Sequence, residues 1–168
     1  GATPNHSFDS SLRMATLIEL AREQGVTLPS YEEAGLCEQV FKPVYANLSE
    51  YLLGFHYTCA VLLTPEAIER VAFEMAEDAI AQGVRYLEVR FAPQLLVSTG
   101  EACVRAFQAV NQGLLRAKRQ HNLSGAVKQG DDIPFDCAII CCAMRNFGRG
   151  MSAYYDRLLD VLSGMRHK

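Results

Sequence analysis

The chain has 168 residues, 49% of them apolar and 21% charged, with a formal net charge of −3. That length suits one domain with a sizeable core, and it is short for a complete eight-stranded barrel, which typically needs about 250 residues. The charge balance recruits neither nucleic acid nor an anionic membrane. No apolar run approaches the roughly 20 residues of a membrane span, and there is no basic segment followed by an apolar signal core, so a cytoplasmic protein is expected.

Residues 1–9 include Pro4 and show no apolar alternation, which reads as loop or a frayed edge. From Ser11 onward Leu12, Ala15, Leu17, Ile18, Leu20 and Ala21 follow helical periodicity, and Gly25 is a natural stop. Ser30 and Glu33 have capping-box spacing and open a short helix to about Phe41. Asn47 and Glu50 repeat that signal. Behind them Leu48, Tyr51, Leu52, Phe55, Cys59 and Leu62 form a stripe on a third helix that ends near Leu63. Thr64-Pro65-Glu66 then starts a fourth: Thr caps, Pro tolerates the first helical position and Glu complements the dipole. Its apolar face is Ile68, Val71, Ala72, Met75 and Ala79, and it stops at Gly83.

Val84 to Phe91 alternates, with Leu87, Val89 and Phe91 on one face and Tyr86, Glu88 and Arg90 on the other. A half-exposed antiparallel sheet would show the same alternation. Helices before and after the strand point instead to a crossover unit with a parallel sheet, in which both faces are usually covered. Glu88 and Arg90 on a covered face then need partners, which the mouth of a closed barrel supplies.

A long helix follows, capped by Ser98 or Thr99, along Cys103, Ala106, Phe107, Val110, Leu114 and Ala117. It fades near His121 into a polar connection from Asn122 to Asp132. Phe135 to Met144 is a nearly continuous apolar run and reads as a buried parallel strand. Ser152 caps a last helix along Tyr155, Leu158, Leu159 and Leu162. The class is α/β, with extra helices before the first clear strand.

Chemistry is hard to place from residue types alone. His6, His56, His121 and His167 include no pair at ligand spacing, and His121 reads as a cation at a helix C-terminus. The six cysteines, Cys37, Cys59, Cys103, Cys137, Cys141 and Cys142, form no C-x-x-C pair and read mostly as buried free thiols. Asp9 stands just before a helix, where it could cap that helix or reach a ligand hydroxyl. Glu88 and Arg90 read as structural partners. No phosphate-cradling glycine motif, nucleophile elbow or Ser-His-Asp order is present.

Four segments together resemble the adenosine deaminase family: Asp-Ser-Ser-Leu-Arg at 9–13, Phe-His-Tyr-Thr-Cys-Ala-Val-Leu at 55–62, Tyr-Leu-Glu-Val-Arg-Phe-Ala-Pro at 86–93 and Cys-Cys-Ala-Met-Arg at 141–145. The resemblance spans nearly the whole chain and about the first half of such an enzyme. It implies one domain over 1–168, an incomplete (β/α) TIM-type barrel. It also implies a zinc-dependent aminohydrolase that converts adenosine to inosine and ammonia, since a bound metal makes hydroxide available near neutrality. On the substrate side it assigns Asp9 to a ribose hydroxyl, Leu48, Tyr51, Leu52 and Phe55 to the apolar helix closing over the nucleoside, and Met144 to a strand end near the ligand. Read without the resemblance, the helix residues are a core stripe and Met144 is barrel filling.

The same resemblance marks what is missing. The family's first strand ends in His-x-His-x-Asp-Gly-Ser, and setting Asp9 against that Asp places Asn5 and Ser7 where the histidines belong, with His6 one residue out of register. The family's His-Ala-Gly-Glu segment, later His-Gly and Asp-Asp pair have no counterpart before Lys168. The expectation is a purine-nucleoside protein with no catalytic residue and no zinc ligand in this chain, inactive by itself. A non-catalytic binding or scaffold protein is the alternative, and open barrel edges suggest self-association.

Overall fold

The computed structural model describes residues 5–7, 11–97, 99–143 and 152–165. Along the chain run β1 (Asn5–Ser7), α1 (Met14–Gln24), α2 (Glu33–Gln39), α3 (Leu48–Val61), α4 (Pro65–Ala81), β2 (Tyr86–Phe91), α5 (Gly100–Asn122), α6 (Gly125–Gln129), β3 (Asp136–Cys141) and α7 (Ser152–Met165).

Local chemistry sets most helix ends. Asn47 accepts from the Glu50 amide, Thr64 from Ala67 and Thr99 from Ala102, each satisfying an amide that the first helical turn leaves without a partner. Gly25 closes α1 at φ 69°, a left-handed conformation that costs glycine little. Two starts differ from the spacing. Arg13 holds the extended position before α1, so that helix begins at Met14 and not near Ser11. Ser30 does not cap α2: its hydroxyl donates to the Glu32 carbonyl and accepts from the Glu32 amide, and the helix begins at Glu33. The connection after α5 is not wholly irregular either, because Ser124 caps the short α6 and Gly130 ends it at φ 82°.

The sheet has three parallel strands in the order β1-β2-β3, which is also their order in the chain. Strand order that follows chain order, with crossover helices on one side, is how a barrel grows; a doubly wound sheet reverses order instead. Residues 5–7 are therefore not simply loop. Asn5, His6 and Ser7 lie level with Glu88, Val89 and Arg90, and the ladder on β2 holds a segment too short to show alternation.

One face of the sheet packs into the core. Leu87, Val89 and Phe91 join Leu17, Ala21, Ile68, Val71, Ala72, Met75, Val110 and Leu114 in a single cluster from β2, α1, α4 and α5. The contact between α4 and α5 is tightest at Gly113, where an added Cβ would stand 2.3 Å from the Glu69 carbonyl oxygen. Arg116 spans the same seam, its guanidinium 4.1 Å from the Phe73 ring centre and 3.0 Å from a Glu69 carboxylate oxygen. The seam between α1 and α4 is polar. Thr16, 2% exposed, donates to buried Glu74 at 2.5 Å, and Arg70 completes the carboxylate at 2.9 Å.

The other face of the sheet is open. Tyr86 and Arg90 are exposed and Glu88 is half-buried, level with Asp136, Ile140 and Ala138 of β3. The expectation that Glu88 and Arg90 lie on a covered face and pair does not hold among the described residues. Glu88 accepts from the Tyr86 hydroxyl at 3.1 Å instead, because no further strand or helix of the described residues covers this side. For the same reason β3 is half-buried and not fully buried.

Candidate functional site

Parallel α/β sheets hold their ligands at the C-terminal ends of the strands. Here those ends are marked by Ser7, Phe91 and Cys141. Asp9 and Met144, the two sequence-predicted residues that follow β1 and β3, lie outside the described residues.

The four remaining predicted residues all lie on α3. Leu48 is 70% exposed, Tyr51 52% and Leu52 45%, while Phe55 is half-buried. The core-stripe reading is thereby corrected for Leu48, Tyr51 and Leu52, while Leu62 at the far end of the stripe does lie in the core; the buried residues within the helix are Gly54, Thr58 and Val61. The physical reason is at Gly54, where a Cβ would meet the Phe41 ring at 2.9 Å. Glycine lets that ring close on the helix backbone, and the helix turns its bare side inward.

The approach to α3 is fixed by polar contacts. The Glu50 carboxylate accepts from the Ala46 amide at 2.6 Å and pairs with Lys42. Lys42 first, and then the Ala46 amide, hold that carboxyl below its ordinary range. Tyr45 meets Tyr51 edge to face with ring centres 5.3 Å apart. Leu48, Tyr51 and Leu52 thus form an exposed apolar side on a helix whose start is firmly held.

A residue missed by sequence reasoning sits just past β2. Gln94, in the 3-10 turn Pro93–Leu95, is 6% exposed, and neither its Nε2 nor its Oε1 has a hydrogen-bond partner among the described residues. Leaving a buried polar group unsatisfied costs about 1–3 kcal/mol. The only sequence signal was its place, a Gln after Pro in a strand-to-helix connection.

Histidines and cysteines add little chemistry. His6 is level with Val89 on β1, and exposed His56 meets Tyr57 edge to face. His121, in the last turn of α5, has its Nε2 3.1 Å from the Ile133 carbonyl oxygen. None of the six cysteines is in a disulfide, yet only Cys103 is buried; Cys37 is exposed and the other four are half-buried, which corrects the expectation of mostly buried thiols. Burial pushes the Cys137 and Cys141 thiols up to about 11, so neither is a ready nucleophile.

With this geometry in view, the comparison with known proteins is decisive: residues 4–159 match the family described as Adenosine deaminase. The chain belongs to the adenosine deaminase family. It is 37% identical over 162 residues to a probable adenosine deaminase of Dictyostelium discoideum, an alignment covering 96% of this chain and 19% of that protein. Among solved structures, an adenine deaminase from Arthrobacter aurescens superposes with TM-score 0.64 at 23% identity, and an Arabidopsis ADAL protein complexed with GMP with TM-score 0.67 at 21%. Each covers 98% of this chain and 46% of its own. This family member thus has the fold of deaminase barrel enzymes over about half their length, and it spans less than half the length of each of these three relatives.

Zinc is bound in another such structure, an amidohydrolase from Burkholderia ambifaria with TM-score 0.55 and 18% identity. The donor set of this family member does not fit that metal. Positions 5 and 7 of β1 are Asn and Ser, which are not the usual imidazole, thiolate or carboxylate donors of zinc, and no three of His, Cys, Asp or Glu converge among the described residues. No helix of the described residues is long and apolar enough to cross a membrane.

Proposed function

We propose that this chain is the nucleoside-binding N-terminal half of a purine nucleoside aminohydrolase barrel, without hydrolytic activity of its own. The observation that carries this reading is the exposed apolar side of α3. Leu48, Tyr51 and Leu52 stay out of the core beside an anchored helix start, as a helix closing over a flat, apolar purine requires. Phe55 continues the surface one turn on, Asp9 follows β1, where it would take a ribose hydroxyl, and Met144 follows β3, where it would flank the base. The partial barrel is the scaffold, its strand ends forming one side of the site.

Catalysis is the part this chain does not supply. Asn5 and Ser7 cannot serve as the imidazole pair of a zinc site, so no water-activating step is assigned to these residues. The same two residues favour the second reading, a deaminase-like protein that binds without turning over.

Titration of the chain with adenosine, with and without zinc, separates these outcomes. Binding with no ammonia release is expected. Replacing Leu48 and Leu52 by Gln should weaken binding about 10-fold while moving stability by no more than about 0.5 kcal/mol, as for exposed positions generally. Stoichiometric zinc and turnover by this chain would overturn the assignment.

A further inference from the structure

We propose that Cys103 and Cys141 are a redox pair, oxidised by a small hydroperoxide to a disulfide that ties the first turn of α5 to the end of β3.

Packing makes the pair. Cys103 sits one turn beyond the Thr99 cap of α5 and is 0% exposed. Cys141 is the last residue of β3 and, with Cys137 and Ile139, lies on the face of that strand that packs against the core. Its side chain packs directly on Cys103, as do Val97 and Leu162, so the two sulfur-bearing groups share one apolar enclosure at the C-terminal end of the sheet. The next thiol along the chain is engaged elsewhere. Cys142 donates through Sγ to the Ile140 carbonyl oxygen at 3.6 Å, and its amide donates to the Phe91 carbonyl oxygen at 2.8 Å.

The chemistry balances with hydrogen peroxide as oxidant. The half-buried Cys141 is the member of the pair that solvent reaches. Its thiolate sulfur attacks one peroxide oxygen, the O–O bond breaks, the departing hydroxide takes a proton to leave as water, and Cys141 becomes a sulfenic acid. The Cys103 sulfur then attacks the Cys141 sulfur. The S–O bond breaks, a second water leaves and the S–S bond forms. Two thiols are oxidised and one peroxide is reduced to two waters.

The enclosure sets both the rate and the persistence of the bridge. Burial first, and then neighbouring Cys103 and Cys142, push the Cys141 thiol up to about 11, so little thiolate is present near neutrality and the first step is slow. Apolar surroundings penalise a thiolate and not an uncharged disulfide, so the bridge resists reduction by thiols once it has formed.

The test is to expose the folded 168-residue chain to hydrogen peroxide, alkylate it under denaturing conditions and map it by tryptic digestion and tandem mass spectrometry. The expected product is a monomer lighter by two hydrogens, with residues 91–105 joined to residues 129–145 through Cys103 and Cys141. Cys137 and Cys142 lie on the same tryptic peptide as Cys141, and fragmentation should show both still alkylated. Cys142→Ser should keep the bridge and Cys141→Ser should abolish it. A Cys103 that is fully alkylated after peroxide treatment overturns the assignment, as does a bridge between Cys141 and Cys142. The decisive measurement is made on the unaltered chain and so does not depend on any variant folding.

Discussion

Arg13 grips Asp78: Nη2 donates to Oδ1 at 2.6 Å, and Nε lies 3.1 and 3.0 Å from the two carboxylate oxygens. Nη2 also reaches Glu77 at 3.3 Å and the Glu74 carbonyl at 3.4 Å. The residue before α1 is thereby tied to α4. The Asp78 hydrogen bond, more than any other contact, raises the Arg13 pKa. Both side chains remain more than a third exposed, so solvent screens much of the attraction. Arg13→Ala should cost about 1 kcal/mol and lower the melting temperature by about 2–4 °C, measured by calorimetry. Loss of Asp78 should add little to loss of Arg13, since the two share one interaction.

Gly113→Ala tests the seam between α4 and α5. A methyl group there would meet the Glu69 carbonyl oxygen at 2.3 Å, the Ala72 Cβ at 2.8 Å and the Phe73 amide nitrogen at 2.9 Å. Two of those atoms are backbone and cannot rotate away, so the helices must part. Overpacking of this kind outweighs the gain of about 1 kcal/mol in helix propensity, for a net loss of about 2 kcal/mol. A urea midpoint equal to or above that of the wild type would show that the helices do not meet this closely.

The Arg85–Asp132 clasp gives a prediction about acid. Arg85 Nε and Nη2 donate to the two Asp132 oxygens at 2.8 and 2.6 Å, joining the entry of β2 to the loop before β3. This pairing first, helped by the Ile133 amide and nearby His121, lowers the Asp132 carboxyl to about 2 from an ordinary 3.8. A depressed folded-state pKa means stability that is fully present above 3.8 and lost as pH falls toward 2. The wild type should therefore lose melting temperature more steeply than Asp132→Asn between those limits, and parallel curves would count against the clasp.

The open sheet predicts self-association. β1 and β3 each pair with β2 on one side and with no other strand among the described residues, and the face bearing Tyr86, Arg90 and Ile140 is exposed. Unpaired parallel edges beside exposed apolar side chains invite a second molecule. Light scattering across a concentration series should report species heavier than the monomer. A clean monomer at high concentration would mean the edges are blunted some other way.

Much of this was legible in the residues. Asn47, Thr64 and Thr99 cap their helices within three residues of themselves, and the alternation of Leu87, Val89 and Phe91 names a buried face before any partner is known. The candidate site was less so. Leu48, Tyr51 and Leu52 have the same periodicity as a core stripe, and Gln94 has no pattern at all.

What the sequence determined by itself is what neighbours in the chain decide: caps, the Gly25 stop, strand parity and the family to which four motifs point. Tertiary structure alone decided which side of α3 faces inward, because that depends on Phe41 closing against Gly54. It also decided that β1 is a strand, that Thr16 and Glu74 share a buried bond, and that Glu88 turns to Tyr86 and not to Arg90. Periodicity states that a face is apolar; only the other elements, arriving from far along the chain, state what covers it.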